Sequence, residues 1–499
     1  MIDWGSLAKG LLLLADWQIP LVVAAGMLFG LIVGVIPGMT SALGLAIVLP
    51  LTFKMDPFPA LMLLTSVYTG ALTGGGILAI LINTPGTPGA VATTFDGYPM
   101  ARKGLHNEAL GIQITASVIG GLIGYLVLLL FIQPMVWLAL QFGPSEMLFL
   151  TILVLVIVGV LEGKYLSRAL FAGLLGLMLA TIGTSTATGE ARGTFGIDAL
   201  EDGLPLVLCI IGMFAIPELI QLVSRRSISE ADLERAHDFG KLAAGVGTTF
   251  AAWRTWLRGS FLGVGIGLLP AAGATLASLL SYAMAKRRAR PEQKFGEGEP
   301  EGVVAAESAN NATEGGAMGI LLALGIPGSA STAVILGGFM LHGLVPGARL
   351  LRDNGPFVYA LVVGNIFQML VLGFFTLLVA YYVARVVLVP SRALVPILIV
   401  VMTLGAFSFR NQVFDVYVLY AFGLLGWLMR RYQFPLVSLM IGLFLGRQLD
   451  EEFVRFRTLF VDNPAALLER PISIVFIVLI LTTLALQVRR SLRARRASG

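Results

Sequence analysis

Four short motifs combine proline, glycine and hydroxyl residues in a way that can bind an anion. The first is Ile36-Pro37-Gly38-Met39-Thr40-Ser41, and its grammar returns in Asn83-Thr84-Pro85-Gly86-Thr87, in Pro270-Ala271-Ala272-Gly273-Ala274-Thr275 and in Pro327-Gly328-Ser329-Ala330-Ser331-Thr332. In each, proline ends an incoming helix, glycine permits a turn, and a hydroxyl such as Thr40 or Ser41 can cap the helix that follows. A helix begun this way presents free N–H groups and the positive end of its dipole, which together hold a carboxylate without a buried arginine. On this reading Thr40, Ser41, Asn83, Thr84, Pro85, Gly86, Thr87, Gly273, Thr275, Pro327, Gly328, Ser329 and Ser331 are the substrate-binding candidates. The alternative is that these hydroxyls bond back to their own helices and the motifs are kinks.

A second constellation is acidic. Glu307, Asn310, Asn311 and Glu314 recur at i, i+3, i+4 and i+7, which places them on one helical face. Carboxylates near a membrane interior commonly mark ion or proton sites. Converging carboxylate, amide and hydroxyl oxygens suit sodium, whereas a lone carboxylate suits a proton, so Glu307, Asn310 and Asn311 are candidates for cation coupling. The competing reading is that this face caps and packs a hairpin at the membrane boundary. Asp96-Gly97-Tyr98-Pro99 reads as a turn closing the element that begins at Asn83, with Arg102 and Lys103 at the surface.

Other chemistries lack their residues. Cys209 is the single cysteine, and His106, His237 and His342 have no partner at ligand spacing, so no zinc site, disulfide or other resident cofactor is expected. The chain contains neither a G-x-x-x-x-G-K-[ST] phosphate loop nor an H-E-x-x-H pair, which argues against ATP-driven transport by this chain and against zinc proteolysis. A transporter is expected, not an enzyme.

The elements that must position these motifs are membrane helices. Of 499 residues, 57% are hydrophobic and 13% charged, about half the roughly 25% charge of a soluble domain. Mean hydropathy is +0.87. A water-soluble globule is thereby excluded, and at about 20 apolar residues per crossing the chain can supply on the order of 12 crossings. The net charge of +5 sits in short loops and at the tail, where it reads as a topology signal and not as a nucleic-acid surface. Uninterrupted spans are Phe58–Ile82, Ala109–Ile132, Met147–Leu161, Leu166–Ile182, Leu204–Val223, Phe357–Leu388, Leu394–Phe409, Val413–Met429 and Pro471–Val488. Residues 1–16 read as mature protein forming an interfacial helix.

Glycine and proline interrupt Leu21–Phe53, Phe261–Met284 and Gly315–Leu341 at mid-membrane depth, and these interruptions repeat. Gly30, Gly34 and Pro37 recur at identical spacing as Gly263, Gly267 and Pro270, and Pro85-Gly86 recurs as Pro327-Gly328. Broken segments at corresponding positions of two halves point to the binding site of a secondary transporter. Irregular backbone at that depth persists only where it is buried in protein or lines a polar cavity. The charges around Phe261–Met284, with Arg254 and Arg258 before it and Lys286, Arg287, Arg288 and Arg290 after it, differ from those around Leu21–Phe53. That contrast favours an inverted repeat, with each broken element either a re-entrant hairpin or two half-helices of one crossing. The resulting layout is an all-α polytopic helical bundle: a first membrane repeat over 1–223, a polar linker over 224–256, a second repeat over 257–488 and a basic cytoplasmic tail over 489–499.

With these motifs in view, GVIPGMTSALGLAIVLPLTF, TGGGILAILINTPGTPGAVATTFDGYPMARKG, GLLPAAGATLASLLSYAMAKRRAR and FGEGEPEGVVAAESANNATEGGAMGILLALGIPGSASTAVILGGFMLHGLVPG resemble the large membrane subunit of the bacterial tripartite tricarboxylate transporter family. The resemblance covers nearly the whole chain. It implies a multi-pass importer of the bacterial inner membrane that takes small di- or tricarboxylates from a periplasmic solute-binding protein and works with a small membrane subunit. It implies energy from a sodium or proton gradient, with Asn83, Thr84, Pro85, Gly86, Pro327, Gly328 and Ser329 as substrate-contacting tips. Glu307, Asn310 and Asn311 match the family's acidic-Asn stretch. The rival readings are an intramembrane enzyme acting on a lipid-linked substrate, which needs titratable groups that the first half's apolar spans scarcely offer, and an uncoupled membrane channel.

Overall fold

In hydrocarbon a backbone must satisfy its own hydrogen bonds, and a chain this apolar does so in helices. The computed structural model describes residues 2–162, 166–185, 189–223, 238–384, 391–461 and 464–497. The helices are α1 (Trp4–Leu14), α2 (Gln18–Gly34), α3 (Ser41–Val48), α4 (Pro57–Ile82), α5 (Val91–Arg102), α6 (His106–Ala139), α7 (Pro144–Glu162), α8 (Leu166–Ala180), α9 (Leu206–Val223) and α10 (Phe239–Ala251). They continue as α11 (Trp253–Gly267), α12 (Gly273–Arg287), α13 (Pro300–Leu324), α14 (Ala330–Leu341), α15 (Ala348–Asp353), α16 (Gly355–Ala384), α17 (Ser391–Arg410), α18 (Val413–Arg431), α19 (Leu436–Phe460) and α20 (Pro471–Ala497). Among the described residues the only sheet is a two-residue antiparallel ladder, Gly183–Thr184 with Ala191–Arg192.

The chain forms two compact units. One comprises residues 1–136 and 214–416; the other comprises 137–213 and 417–499. Both proline–glycine repeats lie in the first unit, and its helix order repeats once: α1 to α6 correspond in turn to α10, α11, α12, α13, α14 and α16. The correspondence extends to the helix ends. Asn83 terminates α4 in the left-handed conformation, at φ 57°, and Gly325 terminates α13 in the same way, at φ 73°.

Small residues let these helices approach. A Cβ on Gly74 of α4 would lie 2.6 Å from the Leu31 carbonyl oxygen and 3.1 Å from the Gly34 Cα of α2. In the second repeat Gly267 of α11 sits against the backbone of Thr313, Gly316 and Ala317 on α13. The spaced glycines of the sequence are therefore backbone contacts, the small-residue packing that membrane helices use. They place α4 and α13 at the centre. The most apolar window of α4 is 94% buried, against 44% for α6 and 39% for α16, whose exposed Leu130, Phe131, Leu370 and Phe374 can face lipid.

Among the described residues six helices are long and apolar enough to cross, or seven if α1 and α2, bent by 77°, make one broken span. Glycine and proline confine other apolar sequence to shorter helices, among them Leu166–Ala180 and Ala330–Leu341. Part of the expected linker, residues 224–237, and the last two residues of the expected tail lie outside the described residues; α10 and the start of α11 occupy the rest of the linker. The α11–α12 element is a hairpin: Gly259 lies against Ser281, each about two turns from the break, so α12 runs back along α11.

Candidate functional site

Each break begins a new helix, and the local chemistry differs from break to break. Thr40 is the N-cap of α3, its hydroxyl oxygen accepting from the Leu43 N–H at 3.3 Å. That hydroxyl also donates to Glu218, 2.9 Å from both Oε1 and Oε2, and the Thr40 N–H lies 3.4 Å from Oε2. A protein carboxylate thus occupies the amino end of α3. Ser329 starts α14 with a reciprocal capping box: its hydroxyl accepts from the Thr332 N–H at 3.2 Å, and the Thr332 hydroxyl accepts from the Ser329 N–H at 2.8 Å. Both hydroxyls bond to their own helices, and this pre-forms each turn.

The second pair of breaks is built on close backbone approach. The Gly86 N–H donates to the Gly75 carbonyl at 3.2 Å, and a Cβ at Gly86 would run into the Gly34 carbonyl oxygen. The Gly328 carbonyl accepts from the Ala271 N–H at 2.9 Å, and a Cβ there would lie 2.9 Å from the Gly267 carbonyl oxygen. In both repeats, therefore, the glycine of the second break packs on the last glycine of the helix before the first break. A larger residue at Gly86 or Gly328 strains this packing before it could meet any ligand.

The four breaks converge. The Ser41 and Ser331 hydroxyls are 2.7 Å apart, which joins the start of α3 to the start of α14. Across the repeat, Ala274 in the first turn of α12 abuts Gly89 in the turn Pro88–Ala90 that leads into α5. Each repeat's first break thus meets the other repeat's second, the exchange that a two-fold relation produces. Gly273 begins α12 at φ 65°, with Ala271 also left-handed and Thr275 half-buried two residues on. Pro85 and Thr84 are half-buried, Pro327 is buried and Asn83 is exposed. The Thr84 hydroxyl donates to the Ile82 carbonyl at 3.4 Å. Thr87 is buried, and its Oγ1 has no hydrogen-bond partner among the described residues.

The acidic face lies on α13 and is fully buried. Glu307 Oε1 accepts from the Thr93 hydroxyl of α5, and Oε2 from the Ser117 hydroxyl of α6 at 3.0 Å and from Asn310 Nδ2 at 3.4 Å. Two turns along, Glu314 Oε2 accepts from the Thr69 hydroxyl of α4 at 2.6 Å and Oε1 from Asn311 Nδ2 at 3.3 Å. Gln368 of α16 donates to Thr69 at 2.8 Å and accepts from Ser66, while Gln113 of α6 donates to the Thr73 carbonyl at 3.0 Å. Among the described residues no lysine, arginine or histidine is buried, and neither glutamate has an ion pair.

The expected turn at Asp96 is corrected. Asp96 lies inside α5, buried, and its Oδ1 accepts the N–H groups of Gly296, Gly298 and Glu299 at 2.8 Å each, while Oδ2 accepts from the Tyr282 hydroxyl at 2.9 Å. This carboxylate ties the first repeat's α5 to the loop before α13. Residue type alone suggested a turn because Asp, Gly and Pro stand together; the three N–H donors come from about 200 residues away.

Glu218, Thr69, Thr73, Thr93, Gln113, Ser117 and Gln368 escaped the sequence reading. A partial signal existed: Thr65, Thr69 and Thr73 recur every four residues in α4, and Gln113 and Ser117 are one turn apart in α6. Comparison with known proteins places these features in context. Residues 21–441 match the tripartite tricarboxylate transporter TctA family. The chain is 32% identical over 479 residues to an uncharacterized 52.8 kDa protein in the TAR-I ttuC' 3' region of Agrobacterium vitis, covering 94% of this chain and 93% of that protein. It is also 32% identical over 208 residues to an uncharacterized protein in the TAR-II ttuC' 3' region of the same organism, covering 40% of this chain and 86% of the relative. No solved structure matches.

Proposed function

The chain belongs to the tripartite tricarboxylate transporter TctA family, a transporter family, and from that premise we propose that it imports small di- or tricarboxylates across the bacterial inner membrane, driven by a cation gradient. It is a multi-pass membrane protein of a tripartite system. The partners of that system are, in this reading, a periplasmic solute-binding protein and a small membrane subunit. The observation that carries the proposal is the convergence of four helix-starting breaks in a unit where no buried basic residue is described. With Glu218 already at the amino end of α3, an anion there is held by the N–H groups and dipoles of the other helix starts and by hydroxyls, with Ser41, Thr87, Thr275, Ser329 and Ser331 as the polar side chains and Asn83 to Gly86 and Pro327-Gly328 as the backbone tips.

Anion binding by neutral groups also supports coupling. Glu307 and Glu314 stand in the same unit without a basic partner, so a carboxylate substrate adds negative charge to a region already rich in it. A cotransported cation relieves that cost, since buried charge is tolerated when paired. Glu307, Asn310 and Asn311 are the proposed coupling residues. Loading from a binding protein raises the local substrate concentration and gives direction.

The test is uptake of radiolabelled citrate and a panel of dicarboxylates into proteoliposomes holding the chain with its binding protein and small subunit, under imposed sodium or proton gradients. Accumulation against the substrate gradient supports the proposal and names the cation. Downhill flux indifferent to both ions refutes coupling.

A further inference from the structure

The acidic face of α13 reads nearly the same in both directions: Glu307-Ser308-Ala309-Asn310-Asn311-Ala312-Thr313-Glu314. Each half is a carboxylate and a carboxamide three residues apart, and the structure uses them identically. Asn310 Nδ2 reaches Glu307 Oε2 at 3.4 Å, and Asn311 Nδ2 reaches Glu314 Oε1 at 3.3 Å. Both asparagines are fully buried, and the Oδ1 of each has no hydrogen-bond partner among the described residues. Buried carbonyl oxygens of this kind are rarely left unpaired, because water has been removed without replacement.

From this palindrome we infer that α13 carries two separate sodium sites, one at Glu307 with Asn310 and one at Glu314 with Asn311. This deepens, and rests on, the cation-coupled reading proposed above. Flanking helices complete each site with hard oxygens. Thr93, Ser117 and the unpaired Gln113 Oε1 belong to the first; Thr69 and Thr73 belong to the second, with Gln368 Nε2 donating to Thr69 behind it. Oxygen-only donor sets select hard cations, and one carboxylate per site balances a single positive charge. Turning either asparagine amide by 180° exchanges its Nδ2 for Oδ1 beside the carboxylate without changing its shape, which converts a donor into a cation ligand. Seven residues of helix separate the carboxylates by about 10 Å, enough for two ions at once. The two sites draw on different helices, α5 and α6 for the first and α4, backed by Gln368 of α16, for the second, so cation binding clasps the first repeat onto α13.

Sodium binding to the purified chain in detergent, without substrate or partners, tests this by scintillation proximity with radioactive sodium. The wild type is expected to bind two sodium ions, Glu307→Gln and Glu314→Gln one each, and the double variant none. Gln113→Leu is expected to weaken only the Glu307 site, leaving one high-affinity ion. Thermal unfolding in sodium-free buffer identifies any variant that fails to fold. A wild-type stoichiometry of one or zero overturns the inference whatever the variants do, and so does Glu314→Gln retaining the full wild-type count. The outcome is separable from transport: two bound ions without coupled uptake would remove the function and keep the sites, whereas sodium-coupled uptake with a single bound ion would do the reverse.

Discussion

Replacing Gly74 with alanine should separate α2 from α4 and disturb the first break, although Gly74 itself touches no ligand. An alanine Cβ would stand 2.6 Å from the Leu31 carbonyl oxygen, with the Gly34 Cα at 3.1 Å. A carbon comfortably approaches a carbonyl oxygen at about 3.3 Å, so the helices must part by roughly 0.7 Å. Both opposing atoms are backbone, so no side-chain rotation can relieve the contact. Overpacking of this kind costs about 1–3 kcal/mol. Gly265→Ala is the matched control, because a Cβ there meets nothing within 4 Å and the gain in helix propensity is about 0.5–1 kcal/mol. Thermal unfolding of the purified variants in detergent should therefore show Gly74→Ala below the wild type and Gly265→Ala at or above it. Carboxylate uptake should fall only in the former, since Gly34 leads directly into the break before Thr40. Equal stability and uptake in the two variants would refute the claim that the spaced glycines set the position of the breaks.

Other outcomes follow from single contacts. Asp96→Ala removes the acceptor of three backbone N–H groups and should cost upward of about 3 kcal/mol, with Asp96→Asn losing less, read by chemical unfolding and by protease cleavage within residues 288–299. Thr40→Val removes both the cap of α3 and a donor to Glu218, and should destabilise by about 0.5–2 kcal/mol in the same unfolding assay. A double-mutant cycle of Ser41→Ala and Ser331→Ala should give a coupling of about 0.5–1.5 kcal/mol; strict additivity would mean the starts of α3 and α14 do not meet. Arg192→Ala, by contrast, breaks a half-exposed pair with Asp450 and should change stability by less than about 1 kcal/mol.

The correspondence of the two repeats was legible because glycine and proline impose their geometry locally. Pro37 and Pro270 stand in the turns just after α2 and α11, and the paired Gly30/Gly34 and Gly263/Gly267 announced close helix contacts before any partner helix was known. The same local logic failed at Asp96. Its neighbours Gly97 and Pro99 favour a turn, yet packing and three distant N–H donors hold the segment in α5. Composition measures how much apolar sequence exists, whereas only the fold says how many pieces the breaks divide it into.

What the sequence determined by itself is the solvent, the helical class, the duplicated breaks and the acidic face, all of which depend on residue type and on spacings within a few turns. Tertiary structure alone decided that Gly86 rests on Gly34, that Glu218 occupies the amino end of α3, that Ser41 meets Ser331, and that Thr69 reaches Glu314 while Gln368 reaches Thr69. Those contacts join residues up to about 300 positions apart. Helical periodicity tells which face of a helix a side chain occupies, but only the packing of α4, α6, α13 and α16 says which other face it meets.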